Sequence, residues 1–130
     1  MPRDTRRETY EAGLQVRREV VGEQYVARAL ANATEFSQPL QDLVTEYCWG
    51  AVWTRPGLDR RTRSMLNLAM LTALNRSTEF ATHVRGALTN GVTPEEIREV
   101  LLQTAVYAGV PAAIESFRIA DPIIAEHADE

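Results

Sequence analysis

The sequence predicts an all-α fold, a single-domain bundle of about six helices that assembles into an oligomer. Two observations carry the fold class: apolar residues recur at three- and four-residue spacings almost throughout, and no segment alternates as a half-buried strand does. The third is punctuation. Ser37-Gln38-Pro39, Pro56-Gly57, Asn90-Gly91, Thr93-Pro94 and Gly109-Val110-Pro111 cut the chain into helix-length pieces.

Arg7 to Val21 is charged and weakly amphipathic, which predicts a peripheral helix within residues 1–21. A second short helix is expected from Gly22 to Ala33. Ser37 is placed to cap the third, with Pro39 in its first turn, where a missing amide costs little. On that helix, to about Trp53, the wheel puts Leu40, Leu43, Val44, Tyr47 and Ala51 on a core stripe. Glu46, Trp49 and Trp53 then fall on the opposite face, an apolar patch that suits a subunit interface or a pocket wall. Asp59 caps a fourth helix, which from Met65 onward is apolar on nearly every side and so is expected to be the central buried one.

The next helix carries His83 and ends at Asn90-Gly91, a left-handed terminus. Its core stripe is Phe80, Val84, Ala87, Leu88 and Gly91, with His83 at the margin. Thr93-Pro94-Glu95-Glu96 starts a further helix with a cap, a first-turn proline and acids at the positive end of the dipole. This helix has Ile97, Val100, Leu101 and Ala108 on one side and Leu102 with Val106 on the other, so burial on both sides and helix-mediated association are expected. The last helix runs from Ala112 to about Ala125, and residues 126–130 form a polar tail.

Composition narrows the function. The chain has 130 residues and a net charge of −4, which gives no footprint for nucleic acid, although Arg55, Arg60, Arg61 and Arg63 are locally basic. No apolar run reaches membrane-spanning length and the first residues lack a secretory signal, so neither a membrane nor export is expected and the cytoplasm is the default compartment. All fourteen cations are arginines. One cysteine, Cys48, excludes an intrachain disulfide, a C-x-x-C pair and a cysteine-rich metal site. The chain has two histidines, and His127 lies in the tail, so proton chemistry near neutral pH falls to His83. Glu79 and Arg76 precede it by four and seven residues, which on a helix puts them along one edge with it. The plainer reading is a core-margin histidine bonded to Glu79 beside solvated charges.

The segments Tyr47–Arg63, His83–Thr93 and Ala105–Ala113 closely resemble the carboxymuconolactone decarboxylase family, and the resemblance extends from about Gly22 to Ile124. The family shares its fold with peroxidase-like members resembling alkylhydroperoxidase D, whose motif is a glutamate followed by C-x-x-C and a histidine. Those positions fall on Ser64, Arg76, Glu79 and His83, so only the histidine survives. Peroxide reduction needs a thiolate and a resolving thiol, and neither stands there.

The resemblance implies decarboxylation of 4-carboxymuconolactone to 3-oxoadipate enol-lactone and CO₂, in the protocatechuate branch of the β-ketoadipate pathway. It also implies no cofactor, because the unsaturated lactone is its own electron sink. It implies a ring-like homo-oligomer, a trimer or hexamer. On this reading His83 is the acid or enolate donor, Glu79 orients it, and Glu46 is an alternative acid. Arg76, Arg85 and Arg63 are then candidates for holding the substrate carboxylates, with Trp49 and Trp53 as an apolar wall. Two other readings stay open: a cofactor-free enzyme acting on another small carboxylated lactone or keto acid, and a non-catalytic helical oligomer.

Overall fold

In the computed structural model, which describes residues 5–130, every regular element among the described residues is helical. In order they are α1 (Thr5–Val21), α2 (Glu23–Ala31), α3 (Gln38–Leu43) running directly into a π-helical segment (Val44–Val52), α4 (Arg60–Ala73), α5 (Ser77–Thr89), α6 (Pro94–Ala108) and α7 (Val110–Ala128). The all-α expectation is borne out. The chain divides into two units, one up to Leu58 and the other from Asp59.

In the first unit α1 packs on the π segment, and small residues make the crossing close. A methyl group on Gly13 would meet the carbonyl oxygen of Thr45, and would lie 2.5 Å from the amide nitrogen of Gly50 and 2.8 Å from its Cα. A methyl on Gly50 would meet the Thr9 carbonyl oxygen in turn. Trp49 joins Val16 and Val20 in a buried cluster, with Val44 and Trp53 packed on its edge. Arg17 is buried among these elements. Its guanidinium donates to Gln41 Oε1 at 3.0 Å and to Thr45 Oγ1 at 3.2 Å, which satisfies a charge that burial penalises.

The expected face of this helix is therefore reversed. Trp49 is buried and Trp53 and Glu46 are half-buried, whereas Leu40, Leu43, Tyr47 and Ala51 are exposed and Val44 is half-buried. The cause is the partner helix: α1 packs on the side that carries Thr45, Trp49 and Gly50 and leaves Leu40, Leu43, Tyr47 and Ala51 open, while the segment itself winds with i→i+5 bonds such as Trp53 N–H to the Cys48 carbonyl at 3.0 Å. Ser37 also departs from expectation. Its backbone is already helical and its side chain caps nothing; the hydroxyl accepts from the Thr34 amide at 2.9 Å, closing the turn that precedes α3.

In the second unit the helix starts follow the sequence. Asp59 Oδ1 accepts from the Thr62 amide at 2.7 Å. Thr93 and Glu96 form a reciprocal capping box, with 3.1 Å and 2.9 Å bonds. Gly91, at φ 89°, provides the left-handed turn after α5. The core joins Leu68, Phe80, Val84, Ala87, Leu88, Val92, Ile97, Leu101, Ala120 and Ile123. Inside it Thr72 and Ser116 pair their hydroxyls at 2.7 Å, so neither is left unsatisfied.

Helix α4 contacts α5, α6 and α7, as expected of a central helix. It is not buried on nearly every side, however: Ser64, Leu68 and Thr72 face inward, while Leu66 and Met70 are exposed. Four-residue steps put these two on one open stripe. On α5 the core stripe is as expected except for Gly91, which is exposed beyond the helix end. On α6, Ile97 and Leu101 are buried and Leu102 and Val106 exposed. The residues expected to form a polar tail are helical as far as Ala128.

Candidate active site

Helices α4 and α5 form a hairpin, joined through Asn75, whose positive φ of 59° turns the chain. Because the two helices run antiparallel, Ser64 and Asn67 on α4 come opposite Asn90, the C-cap of α5, and His83 on α5. Asn90 Nδ2 donates to Ser64 Oγ at 2.9 Å, and Asn67 Nδ2 lies 3.4 Å from His83 Nδ1. His83 is half-buried at the core margin, next to the fully buried Val84. Burial pushes its pKa below the ordinary value of 6.5, and the charge of Glu79 offsets part of that shift. The imidazole is consequently neutral at pH 7, suited to hydrogen-bond donation more than to service as an imidazolium acid.

That shift makes stability depend on pH in a defined direction. Below about 6.5 the unfolded chain protonates His83 before the folded chain does, so stability falls as pH drops through the interval down to the folded pKa. Above about 6.5 this contribution is constant. His83→Gln, which does not titrate, is expected to lose less stability than the parent between about pH 7.5 and pH 5, read as the change in urea midpoint. Equal losses in the two proteins would refute the neutral, desolvated imidazole.

The other expected site residues are placed as follows. Glu79 is exposed in the first turn of α5, where the helix dipole favours its charge. Arg76 is not on the helix face; it is the exposed N-cap of α5, with a non-helical backbone. Arg63 is half-buried on α4, one turn before Asn67. Arg85 is exposed on a different face from His83, lining a groove of about 170 Å³ with Thr89, Ile123, Glu126 and His127. In the first unit, Glu46 Oε1 accepts from Arg6 Nε at 3.2 Å. Trp49 and Trp53 stack with ring centroids 4.7 Å apart at 28°.

Asn67 is the residue that sequence reasoning missed. The available signal was its chemistry: an amide inside the otherwise apolar run Met65–Leu71 needs a partner on a neighbouring helix.

The model of the carboxymuconolactone decarboxylase family matches residues 38–122, well over half of the chain and spanning parts of both units. The chain belongs to the carboxymuconolactone decarboxylase family. Within it, the chain is 45% identical over 124 residues to a nitrosuccinic acid decarboxylase of Metarhizium robertsii, covering 95% of this chain and 87% of that one. It is 43% identical over 114 residues to the 4-carboxymuconolactone decarboxylase of Acinetobacter baylyi, covering 88% and 85%. An uncharacterised 15.0 kDa protein of Paracoccus denitrificans is 33% identical over 87 residues, 65% of each chain. The resemblance expected from the sequence is borne out. Among the described residues no helix is long and apolar enough to cross a membrane.

Proposed function

We propose that this chain is a carboxy-lyase that needs no cofactor and removes CO₂ from a small dicarboxylate whose departing group sits next to a built-in electron sink. The observation that carries the reading is a neutral, half-buried imidazole at the place where peroxidase-like relatives carry the histidine of a thiol site, in a chain similar to two decarboxylases. The first substrate is 4-carboxymuconolactone. Breaking its C–CO₂⁻ bond leaves an electron pair that spreads through the ring double bond to the lactone oxygen, and His83 stabilises that dienolate by donation. A proton from solvent then completes 3-oxoadipate enol-lactone.

Holding the second carboxylate is a task for an arginine, because its planar fork pairs with both oxygens. Arg63, half-buried and on the same face of α4 as Asn67, suits it better than the exposed Arg76 or Arg85. For Glu79, given above as the residue that orients His83, the supported effect is its charge, which favours the protonated ring.

The test is direct. Purified protein is mixed with 4-carboxymuconolactone, and loss of substrate absorbance is followed together with CO₂ release. Turnover at a kcat of about 1 per second or faster is expected, and no CO₂ release from this lactone would overturn the assignment. A second reading rests on the similarity to the Metarhizium robertsii protein. Nitrosuccinic acid is also a dicarboxylate, and loss of its carboxylate beside the nitro group leaves a nitronate, so the same donor would serve. Comparing kcat/KM for the two compounds decides between them.

We also propose that the chain works as a cytoplasmic homo-oligomer, a trimer or hexamer. Exposed apolar stripes support self-association: Leu66 and Met70 on α4, Leu102 and Val106 on α6, and Ile114 with Phe117 on α7.

A further inference from the structure

We infer that Asn67 is a positioning residue that sets the tautomer of His83, keeping its single proton on Nε2. For turnover the inference rests on the proposed role of His83 as enolate donor; for the tautomer itself it rests on the contact with Asn67 and the burial of the ring. Asn67 Nδ2 is the atom that faces His83 Nδ1, at 3.4 Å. An amide nitrogen carries donors and no lone pair for accepting, so in this orientation of the amide Nδ1 is the acceptor. In a neutral imidazole the proton then resides on Nε2. Without the amide, the two neutral tautomers would compete for one ring, and the fraction with its proton on Nδ1 would have no hydrogen at Nε2 to give an enolate.

The contact is held from both sides. Asn67 is half-buried on α4 beside the fully buried Leu68, and one turn earlier Ser64 is tied to Asn90 of α5, which fixes the hairpin's register. Burial keeps the ring neutral, the state in which a tautomer is defined. The charged group that acts on the ring is Glu79 on α5, and Arg63 lies on Asn67's face of α4. On α7, which also packs against α5, Glu115, Arg118, Asp121 and Glu126 are exposed. Of these, Glu79 acts on the imidazole, favouring its charged form without choosing between its nitrogens.

The chain suits a spectroscopic test because it has two histidines. Histidine labelled with ¹⁵N gives two sets of ring signals, and His127→Gln, a change in the exposed last turn of α7, assigns the other set to His83. In the whole protein at a pH above the His83 pKa, Nδ1 is expected to appear unprotonated and Nε2 protonated, by about tenfold or more. Asn67→Ala is expected to give a mixture and to lower kcat about tenfold with KM changed less than twofold. Asn67→Asp puts a carboxylate at Nδ1, so it is expected to raise the His83 pKa, visible in the same titration, and to move the proton to Nδ1. A wild-type ring protonated at Nδ1 overturns the inference, and that spectrum requires no variant to fold. So does an Asn67→Ala ring that stays wholly protonated at Nε2. A protein that releases no CO₂ from either substrate overturns the functional reading and leaves the tautomer result standing.

Discussion

His83→Ala is expected to lower kcat by about 100-fold or more in a protein that still folds, because losing a donor aimed at a developing enolate costs that much in comparable sites. The reasoning starts from burial. A partly desolvated donor interacts with new negative charge more strongly than water does, and it needs no reorganisation when the charge appears. His83→Gln refines the result, since a glutamine amide can put an N–H close to where Nε2 stood. If His83 only donates a hydrogen bond, glutamine should recover part of the lost rate; if it passes a proton to carbon, glutamine should be as poor as alanine. Circular dichroism of each variant establishes that the helices are intact. Turnover near the parent's in folded His83→Ala would remove His83 from the chemistry altogether.

The second large effect is expected at the glycine crossing of α1. Gly13→Ala and Gly50→Ala should each destabilise residues 5–58 by about 3 kcal/mol, the upper end of overpacking costs. The atoms in the way are backbone: the Thr45 carbonyl and Gly50 amide for one methyl, the Thr9 carbonyl for the other. A side chain can rotate aside, but a helix backbone moves only by separating the two helices. That separation would open the cluster of Val16, Val20 and Trp49 as well. Gly57→Ala is the control, because its methyl would meet nothing within 4 Å and its φ is not positive. Urea midpoints should fall for the first two variants and stay or rise slightly for the third. A Gly13→Ala protein as stable as its parent would show that the crossing is looser than described.

Helix ends and the core of the second unit were legible in the sequence because each rests on local chemistry. Asp59, Thr93 with Glu96, and Gly91 act within three or four residues of themselves, so spacing alone specifies them. The margin position of His83 was legible for the same reason, since α5 is a regular helix and a wheel describes it well. The tryptophan face was not. No residue in Val44–Val52 announces π winding, and periodicity alone does not say which of two apolar faces α1 covers. Arg76 was misplaced by a single boundary: helix α5 begins one residue after it. Asn67 was passed over because its partner is sixteen residues away on another helix, a distance that periodicity does not reach.

The stacked indoles carry a practical consequence. Trp49 and Trp53 are the chain's two tryptophans, and both sit on or beside the π segment. Indole emission and the exciton band of a coupled ring pair therefore originate wholly within residues 5–58, and the His83 ring signal wholly within the remainder. One cuvette and one labelled sample thus give two optical and magnetic addresses on a single chain. Whether its halves come apart together or in sequence can be read by asking if the two signals disappear at the same denaturant concentration.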